Sequence, residues 1–395
     1  MQQNQSSGAV APNTDAVART RSLAAVLASI LVVGMTFGIA TPLLSLLIER
    51  AGHGAVMAGA NTAAGVAAVV AMAPFVPRLV RALGVLGAMY AGISVSTVAI
   101  LLFPMTDSLV LWFVFRFFLG AGMAVMWVLG ETWLNATVLP GNRGLVSGIY
   151  STLLGVGFAV GPMIIAGVGV EGYVPFTVGA ILLLLSALPL VLARRLAPRG
   201  IGEEGGGLLR TLSMAPMIMA AVFVCGFIDT AILALLPLYG LRGGLEEAGA
   251  LVLLTVLISG TVVMQLPIGW LADKLGRYRL LIVCAVVGAA IPLLVPMAMG
   301  NDKLLWPALF LWGGTTVSLY TIGLAMLGER FGPDLLPAAN SMMVISYCVG
   351  SIVGPPLTGV AMETWGMDSM PYGLALVCGL FALGAIAGRI RSARG

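Results

Sequence analysis

The chain has 395 residues, of which 59% are hydrophobic and only 9% are charged, and its mean hydropathy is +1.05. A typical soluble domain has about 25% charged residues, so this composition excludes an ordinary soluble domain and predicts an all-α integral membrane protein. The net charge of +4 comes from basic residues spread over many loops. Such a spread does not predict a nucleic-acid-binding surface, which would be one clustered basic patch.

Twelve apolar segments are long enough to cross a membrane, since a hydrocarbon core of about 30 Å requires about 20 helical residues. Their apolar runs are continuous rather than alternating, which favours helices over a barrel. The predicted spans, numbered 1 to 12, are 23–48, 54–77, 84–104, 108–134, 144–170, 174–193, 212–239, 248–271, 280–299, 304–327, 336–361 and 370–388.

The distribution of Lys and Arg predicts the topology. With the amino terminus in the cytoplasm, the outer loops contain only Arg50, Arg242 and Lys303, and Arg116 lies inside span 4. All other basic residues fall on the inner face, as the positive-inside rule requires. Residues 1–22 are a polar cytoplasmic tail without the apolar core of a cleaved signal peptide. Residues 389–395 are predicted to form a second cytoplasmic tail.

The chain is predicted to consist of two related halves. Residues 195–211 are a Gly-rich, charged cytoplasmic linker between a first six-helix bundle, 23–194, and a second, 212–388. The sequence GFAVGP ending at Pro162 is repeated as GSIVGP ending at Pro355. Repeats separated by six spans share one membrane orientation, which is the parallel-repeat architecture of a large transporter class.

The loop between spans 8 and 9 has the sequence GWLADKLGRYR and resembles the loop signature of the major facilitator superfamily (MFS). The matching residues are Gly269, Leu271, Ala272, Asp273, Lys274, Gly276 and Arg277. The equivalent loop between spans 2 and 3 keeps Leu79 and Gly84 but has Arg81 where the family has an acidic residue. This departure puts in doubt any conformational latch built on that residue in the first half.

Spans 4 and 5 add to the resemblance. Arg116, Gly120 and Gly122 resemble the family's Arg-x-x-x-Gly-x-Gly element. The glycines and proline of span 5 have the spacing of its antiporter element: Gly148, Gly157, Gly161 and Pro162. Ile165 and Ala166 replace the Gly-Gly that closes this element, which weakens the exporter assignment. The resemblance implies two pseudo-symmetric six-helix bundles, similar to bacterial proton-coupled drug and metabolite exporters. It also implies a monomer in the bacterial inner membrane.

Glycine and proline residues in spans 5 and 11 indicate helices that pack closely and bend. Small residues four apart let a neighbouring backbone approach, and proline removes a backbone hydrogen bond. Such helices suit sliding or bending during transport, although static tight packing explains the same pattern. The residues are Gly157, Gly161, Pro162, Gly350, Gly354 and Pro355.

Three charged residues lie within spans: Arg116 and Glu131 in span 4, and Asp229 in span 7. The resemblance places both spans at the central cavity. By residue count Arg116 and Asp229 differ by only about 3 Å in depth, whereas Glu131 lies about 22 Å further in than Arg116. We expect Arg116 and Asp229 to pair across the halves, with Asp229 as the proton-coupling carboxylate. A permanent structural ion pair, or a carboxylate bonded to helix backbone, is the alternative.

Glu131 lies near the inner end of span 4 and is expected to bind a basic group of an inner gate, such as Arg143, or to cap a neighbouring helix. A direct substrate role is the alternative. The matching residues of the second half complete this predicted gate: Asp273, Lys274, Arg277, Glu329 and Arg330. The predicted cavity contains few other polar or aromatic groups: Thr36, Trp127, Tyr239, Trp312, Thr316 and Tyr320. This inventory favours an apolar or amphipathic substrate, including an organic cation.

An enzyme is not predicted, because the sequence has no Walker pattern and no GxSxG elbow, and its single histidine is His53 in an outer loop. No metal site or cofactor is expected. The sequence therefore predicts secondary active transport of a small molecule, with protons and membrane lipid as the other partners. Proton-coupled export is the first interpretation. Uptake by a symporter or facilitator, and a non-transporting receptor or assembly factor with a transporter fold, remain alternatives.

Overall fold

The computed structural model describes residues 12–138, 143–193, 208–332 and 335–394, and this part of the chain contains helices and no β-strand. Long apolar runs form the helices because every backbone polar group in a membrane must be bonded within its own segment. The helices are α1 (Pro12–Arg50), α2 (Gly54–Met72), α3 (Val76–Leu102), α4 (Leu109–Thr137), α5 (Arg143–Val168), α6 (Val174–Leu192), α7 (Leu208–Met214), α8 (Pro216–Arg242), α9 (Glu247–Leu275), α10 (Arg277–Ala298), α11 (Asp302–Arg330), α12 (Leu336–Trp365) and α13 (Ser369–Arg394).

Within the described ranges, eleven stretches are long and apolar enough to cross a membrane. One of them, Gly54–Met105, has 52 residues and includes both α2 and α3. At 1.5 Å per residue it would be about 78 Å long, more than twice the hydrocarbon thickness. The chain turns inside it at Gly84, whose φ of 72° favours glycine. Spans 1 to 6 therefore correspond to α1–α6 and spans 7 to 12 to α8–α13, which confirms the predicted helical membrane fold.

The helices extend into the segments that were predicted as tails and linker. Helix α1 begins at Pro12, inside the predicted tail 1–22, and α13 continues to Arg394, inside the predicted tail 389–395. Helix α7 occupies the end of the predicted linker 195–211, of which residues 195–207 lie outside the described ranges. The limits of the two predicted bundles, 23–194 and 212–388, stay predictions.

Helices α1–α6 pack mainly with one another, as do α8–α13, and we call these groups the N-half and the C-half. The halves meet chiefly where α2 packs on α12 and where α5 packs on α9. We name the two faces of the bundle after the predicted topology. The outer end has the turn at 51–53 between α1 and α2, and the inner end has Gly276 between α9 and α10.

Small residues let two helix pairs inside the halves come into backbone contact. A Cβ on Gly161 of α5 would lie 2.5 Å from the carbonyl carbon of Gly38 on α1, and a Cβ on Gly157 would meet the Leu31 carbonyl oxygen. In the C-half, Gly350 and Gly354 of α12 lie against the backbone of α8 in the same way. The predicted close packing at these glycines is therefore present, whereas their part in bending stays a prediction.

Candidate functional site

Arg116 of α4 is buried inside the N-half, with only 3% of its surface exposed. Its Nη2 donates a hydrogen bond of 2.7 Å to the Thr41 hydroxyl of α1, and its Nε lies against Gly65 of α2 without a hydrogen-bond partner. No carboxylate lies within ion-pair distance of it among the residues described. The guanidinium thus joins three helices of one half.

The predicted pair between Arg116 and Asp229 is not formed in this structure. Arg116 is seven residues from the outer end of α4 and Asp229 is thirteen residues from the outer end of α8. At 1.5 Å per residue this is a difference in depth of about 9 Å, rather than the expected 3 Å. The prediction was wrong because α8 extends further outward than expected and because Arg116 points toward α1 and α2.

Asp229 instead accepts a hydrogen bond from a tyrosine of the same half. The Tyr347 hydroxyl of α12 donates to its Oδ2 over 2.6 Å. The Tyr347 ring lies edge-on to that of Tyr320 on α11, with 5.7 Å between the centroids. All three side chains are half-buried, so this group borders an accessible space.

Glu131 of α4 forms the corresponding group in the N-half. It accepts a 2.9 Å hydrogen bond from Trp127 Nε1, one turn earlier, and Tyr150 Oη of α5 lies 3.5 Å from it. Its side chain is accessible to solvent although protein atoms surround it, as expected for the wall of a concave cavity. It lies near Tyr320 of the C-half. The side chain of its predicted partner Arg143 lies outside the described residues.

Aromatic rings form the N-half side of this cavity. The Phe37 ring of α1 lies 6.0 Å from Trp127, edge to face, and 5.9 Å from Phe158 of α5, stacked. We interpret these rings, the two carboxylates and the tyrosines beside them as the lining of one space between the halves, which we call the central cavity. It is defined by Phe37, Trp127, Glu131, Tyr150, Phe158, Asp229, Tyr320 and Tyr347.

Two of the six predicted cavity residues, Trp127 and Tyr320, lie at the central cavity. The other four are buried in packing between helices: Thr36, Tyr239, Trp312 and Thr316. The Tyr239 hydroxyl, for example, is at the outer end, 3.2 Å from Asp368. Sequence reasoning missed Tyr150 and Tyr347, because spans 5 and 11 were not counted among the cavity helices. A tyrosine inside an apolar span was the available signal.

The C-half charges that were predicted as part of an inner gate form a cluster within that half. Arg277 lies 3.5 Å from Asp273 and 3.0 Å from Glu329, and it donates to the Ala325 carbonyl over 2.7 Å. The Lys274 ammonium lies 3.8 Å from the Trp270 ring centroid, and Arg330 is exposed. Over the described ranges, none of these groups forms an ion pair with the N-half. A role for them as a gate between the halves stays a prediction.

Ion pairs do join the halves at the outer end. Arg242 of α8 binds Glu49 of α1 through two hydrogen bonds of 2.7 and 3.0 Å. Arg50 is paired with Glu247 of α9, and Glu363 of α12 accepts a 3.2 Å hydrogen bond from the backbone N–H of Val56 on α2. Sequence reasoning had used Arg50 and Arg242 only as topology markers and had given no role to Glu247 or Glu363.

Comparison with known proteins identifies the chain. The model of the Major Facilitator Superfamily matches residues 26–262 and 218–393, which together cover most of the sequence. The chain belongs to this superfamily. The MFS resemblance that the loop at Gly269–Arg279 indicated is thereby confirmed, and the chain is a multi-pass membrane transporter.

Relatives within the MFS align along much of the chain. The MFS-type transporter YfkF of Bacillus subtilis is 26% identical over 365 residues, which cover 91% of this chain and 93% of YfkF. The MFS-type transporter YcaD of Escherichia coli is 29% identical over 276 residues, which cover 69% of this chain and 71% of YcaD.

Solved structures share the fold. A structure of the nucleoside transporter NupG has a TM-score of 0.76 at 12% identity and covers 93% of this chain and 99% of its own. An inward-facing, unoccupied bacterial homologue of the human lysosomal transporter Spinster has a TM-score of 0.67 at 13% identity and covers 93% and 92%. At this identity the likeness shows the fold alone, and no substrate follows from it.

Proposed function

We propose that this MFS transporter exports a small amphipathic organic cation in exchange for protons, and that it binds the cation in the central cavity. One observation carries the proposal. The cavity presents one carboxylate from each half, Glu131 and Asp229, and neither forms an ion pair in the part of the chain that the structure describes.

A carboxylate in a cavity with protein walls is less well hydrated than one in bulk water, so a cationic partner stabilises its charge. Hydroxyl and indole donors supply part of this stabilisation at both carboxylates. The aromatic rings beside Glu131 supply the rest of a cation site, because ring faces attract positive charge. A molecule with a delocalised cation and an apolar body matches both features.

Exchange follows from competition for the same carboxylates. A proton and an organic cation each neutralise Glu131 or Asp229, so the arrival of one favours release of the other. Exchange also requires that the cavity open to one side at a time. The ion pair between Glu49 and Arg242 supports a state that is closed at the outer end.

Within this proposal the protein is a monomer in the bacterial inner membrane with both termini in the cytoplasm. The charge distribution of the loops supports this orientation.

A second candidate is a non-transporting receptor or assembly factor with a transporter fold. It is favoured by Arg81, which stands where the loop signature of the first half has an acidic residue. Uptake by a symporter or facilitator is the remaining alternative within transport.

The test is ligand-dependent proton release by the purified protein in weakly buffered detergent, with tetraphenylphosphonium as the cation and a neutral sugar for comparison. We expect proton release with the cation only, and its loss in Glu131→Gln and Asp229→Asn. Glu246→Gln is the matched control, because this carboxylate is exposed on an outer loop.

Binding of the cation without proton release would contradict exchange and favour a facilitator. Counterflow in proteoliposomes tests transport itself, and binding without flux would favour the receptor. Unchanged binding in both carboxylate variants would overturn the assignment of the central cavity.

A further inference from the structure

A cleft of about 900 Å³ opens at the inner end of the C-half, away from the central cavity. It is bordered by the start of α8, the turn between α9 and α10, the end of α11 and the end of α13. Its lining is strongly basic, with five cationic residues: Lys274, Arg277, Arg279, Arg330 and Arg389. Only Asp273 and Glu329 supply negative charge to the lining.

Arg277 forms ion pairs with both of these carboxylates. It lies 3.5 Å from Asp273 and 3.0 Å from Glu329. The other four cations have no carboxylate within 4.0 Å among the side chains that the structure describes. The cleft therefore has an excess of positive charge that the protein itself does not neutralise there.

Apolar side chains flank the same cleft. Leu275 in its lining is 48% exposed, and Trp270, one turn before Lys274, is 59% exposed. Tryptophan residues are enriched where a membrane meets water, and here the ring also holds the Lys274 ammonium at its face. Basic groups beside exposed apolar groups at the end of a membrane bundle match a molecule with an anionic head and an acyl chain.

We propose that this cleft binds the phosphate headgroup of an anionic phospholipid from the adjacent leaflet. The cationic side chains contact the phosphate, while Leu275 and Trp270 contact the acyl region. Basic pockets between membrane helices bind anionic headgroups in this way. Inorganic phosphate shares the charge but lacks the acyl chain, so it would bind much more weakly.

The experiment titrates the full-length protein in detergent with dioctanoyl-phosphatidylglycerol, dioctanoyl-phosphatidylcholine and inorganic phosphate, and counts bound molecules by native mass spectrometry. The cleft variant combines Arg279→Gln with Arg389→Gln. The matched control combines Arg78→Gln with Arg81→Gln, which removes two exposed cations from the corresponding loop of the N-half.

We expect the wild type to bind phosphatidylglycerol at least tenfold more tightly than the other two ligands. The cleft variant should lose about 30-fold in affinity, since each basic group near an anionic surface contributes about fivefold, and the control should lose less than threefold. Equal losses in the two variants would overturn the proposal. The proposal would also fail if the wild type bound phosphatidylglycerol no more tightly than phosphatidylcholine or inorganic phosphate. This comparison does not depend on whether any variant folds.

Discussion

At the scale of single residues, the two cavity carboxylates differ in how firmly a neighbouring helix holds them. The Tyr347 hydroxyl lies 2.6 Å from Asp229, a short hydrogen bond, whereas Tyr150 is 3.5 Å from Glu131, at the limit of one. Asp229 is therefore held by a neighbouring helix, whereas the firmer hydrogen bond to Glu131 comes from Trp127 on its own helix, over 2.9 Å. Within the proposed function, Tyr347 positions a binding group rather than touching the ligand through its hydroxyl.

Tyr347→Phe tests this positioning role. The change keeps the ring but removes the donor to Asp229, and a hydrogen bond to a charged group contributes about 1.5–3 kcal/mol. We expect tetraphenylphosphonium to bind at least tenfold more weakly, as measured by isothermal titration calorimetry. Tyr320→Phe is the control, because its hydroxyl forms no hydrogen bond with another described residue, and it should change affinity less than threefold. Equal effects of the two variants would contradict the role.

At the scale of elements, the contact between α1 and α5 is formed by backbone atoms of both helices. A Cβ on Gly161 would lie 2.7 Å from the Gly38 Cα, closer than unbonded carbons approach. Gly167 belongs to the same helix, but a Cβ there would meet nothing within 4 Å. Comparing the same substitution at these two positions therefore separates the effect of close packing from the effect of helix propensity.

Gly161→Ala should destabilise the protein by about 1–3 kcal/mol, because the added methyl group forces the two helices apart. Gly167→Ala should be neutral or slightly stabilising, since alanine favours a helix more than glycine does. Guanidinium or SDS unfolding in detergent, followed by circular dichroism, measures both changes. Similar stabilities for the two variants would mean that α1 and α5 are not packed as described.

At the scale of the whole molecule, the charged contacts between the halves favour one conformation. Glu49 and Arg242 are 21% and 27% exposed in their side chains, so their bidentate ion pair is only partly screened by water. Contacts made in one state and broken in the other bias the equilibrium between them. A change of about 1.4 kcal/mol shifts the ratio of the states tenfold.

Arg242→Glu places two like charges at this contact and should increase the outer-open population. Opening can be followed by double electron–electron resonance, which measures the distance between spin labels. The labels are placed at Ser108 and Asn301, on the outer ends of the two halves. Adding Glu49→Arg restores opposite charges and should return the distribution toward that of the wild type. An identical distribution in all three proteins would show that the pair does not influence opening.

Much of the fold could be predicted from the sequence because the membrane limits the choices. Continuous apolar runs form spanning helices, and the loop at Gly269–Arg279 indicated the correct family. The boundaries were less predictable, as at Pro12 and Arg394, because helices continue into polar segments beyond the apolar run.

The candidate site was less predictable because it depends on how each helix is rotated about its own axis. Helix α8 is apolar nearly all round, so its sequence does not indicate which side faces the cavity. Arg116 lies on a predicted cavity helix but points toward α2, whereas Tyr347 lies on a helix that was not counted and reaches Asp229. The direction of each side chain and the position of each helix end determine which polar groups come into contact.

Helices α5 and α12 each pack closely, through glycines, against neighbouring helices on two sides. Gly157 of α5 lies against α1, while Gly155 on another side lies against Val262 of α9. Likewise Gly350 of α12 lies against α8, and Gly359 lies against Ala55 of α2. In a saturation mutagenesis library these two helices should tolerate the fewest increases in side-chain volume. Adaptation to new substrates should therefore leave these glycines unchanged, even though Tyr150, Phe158 and Tyr347 of the same two helices lie at the central cavity.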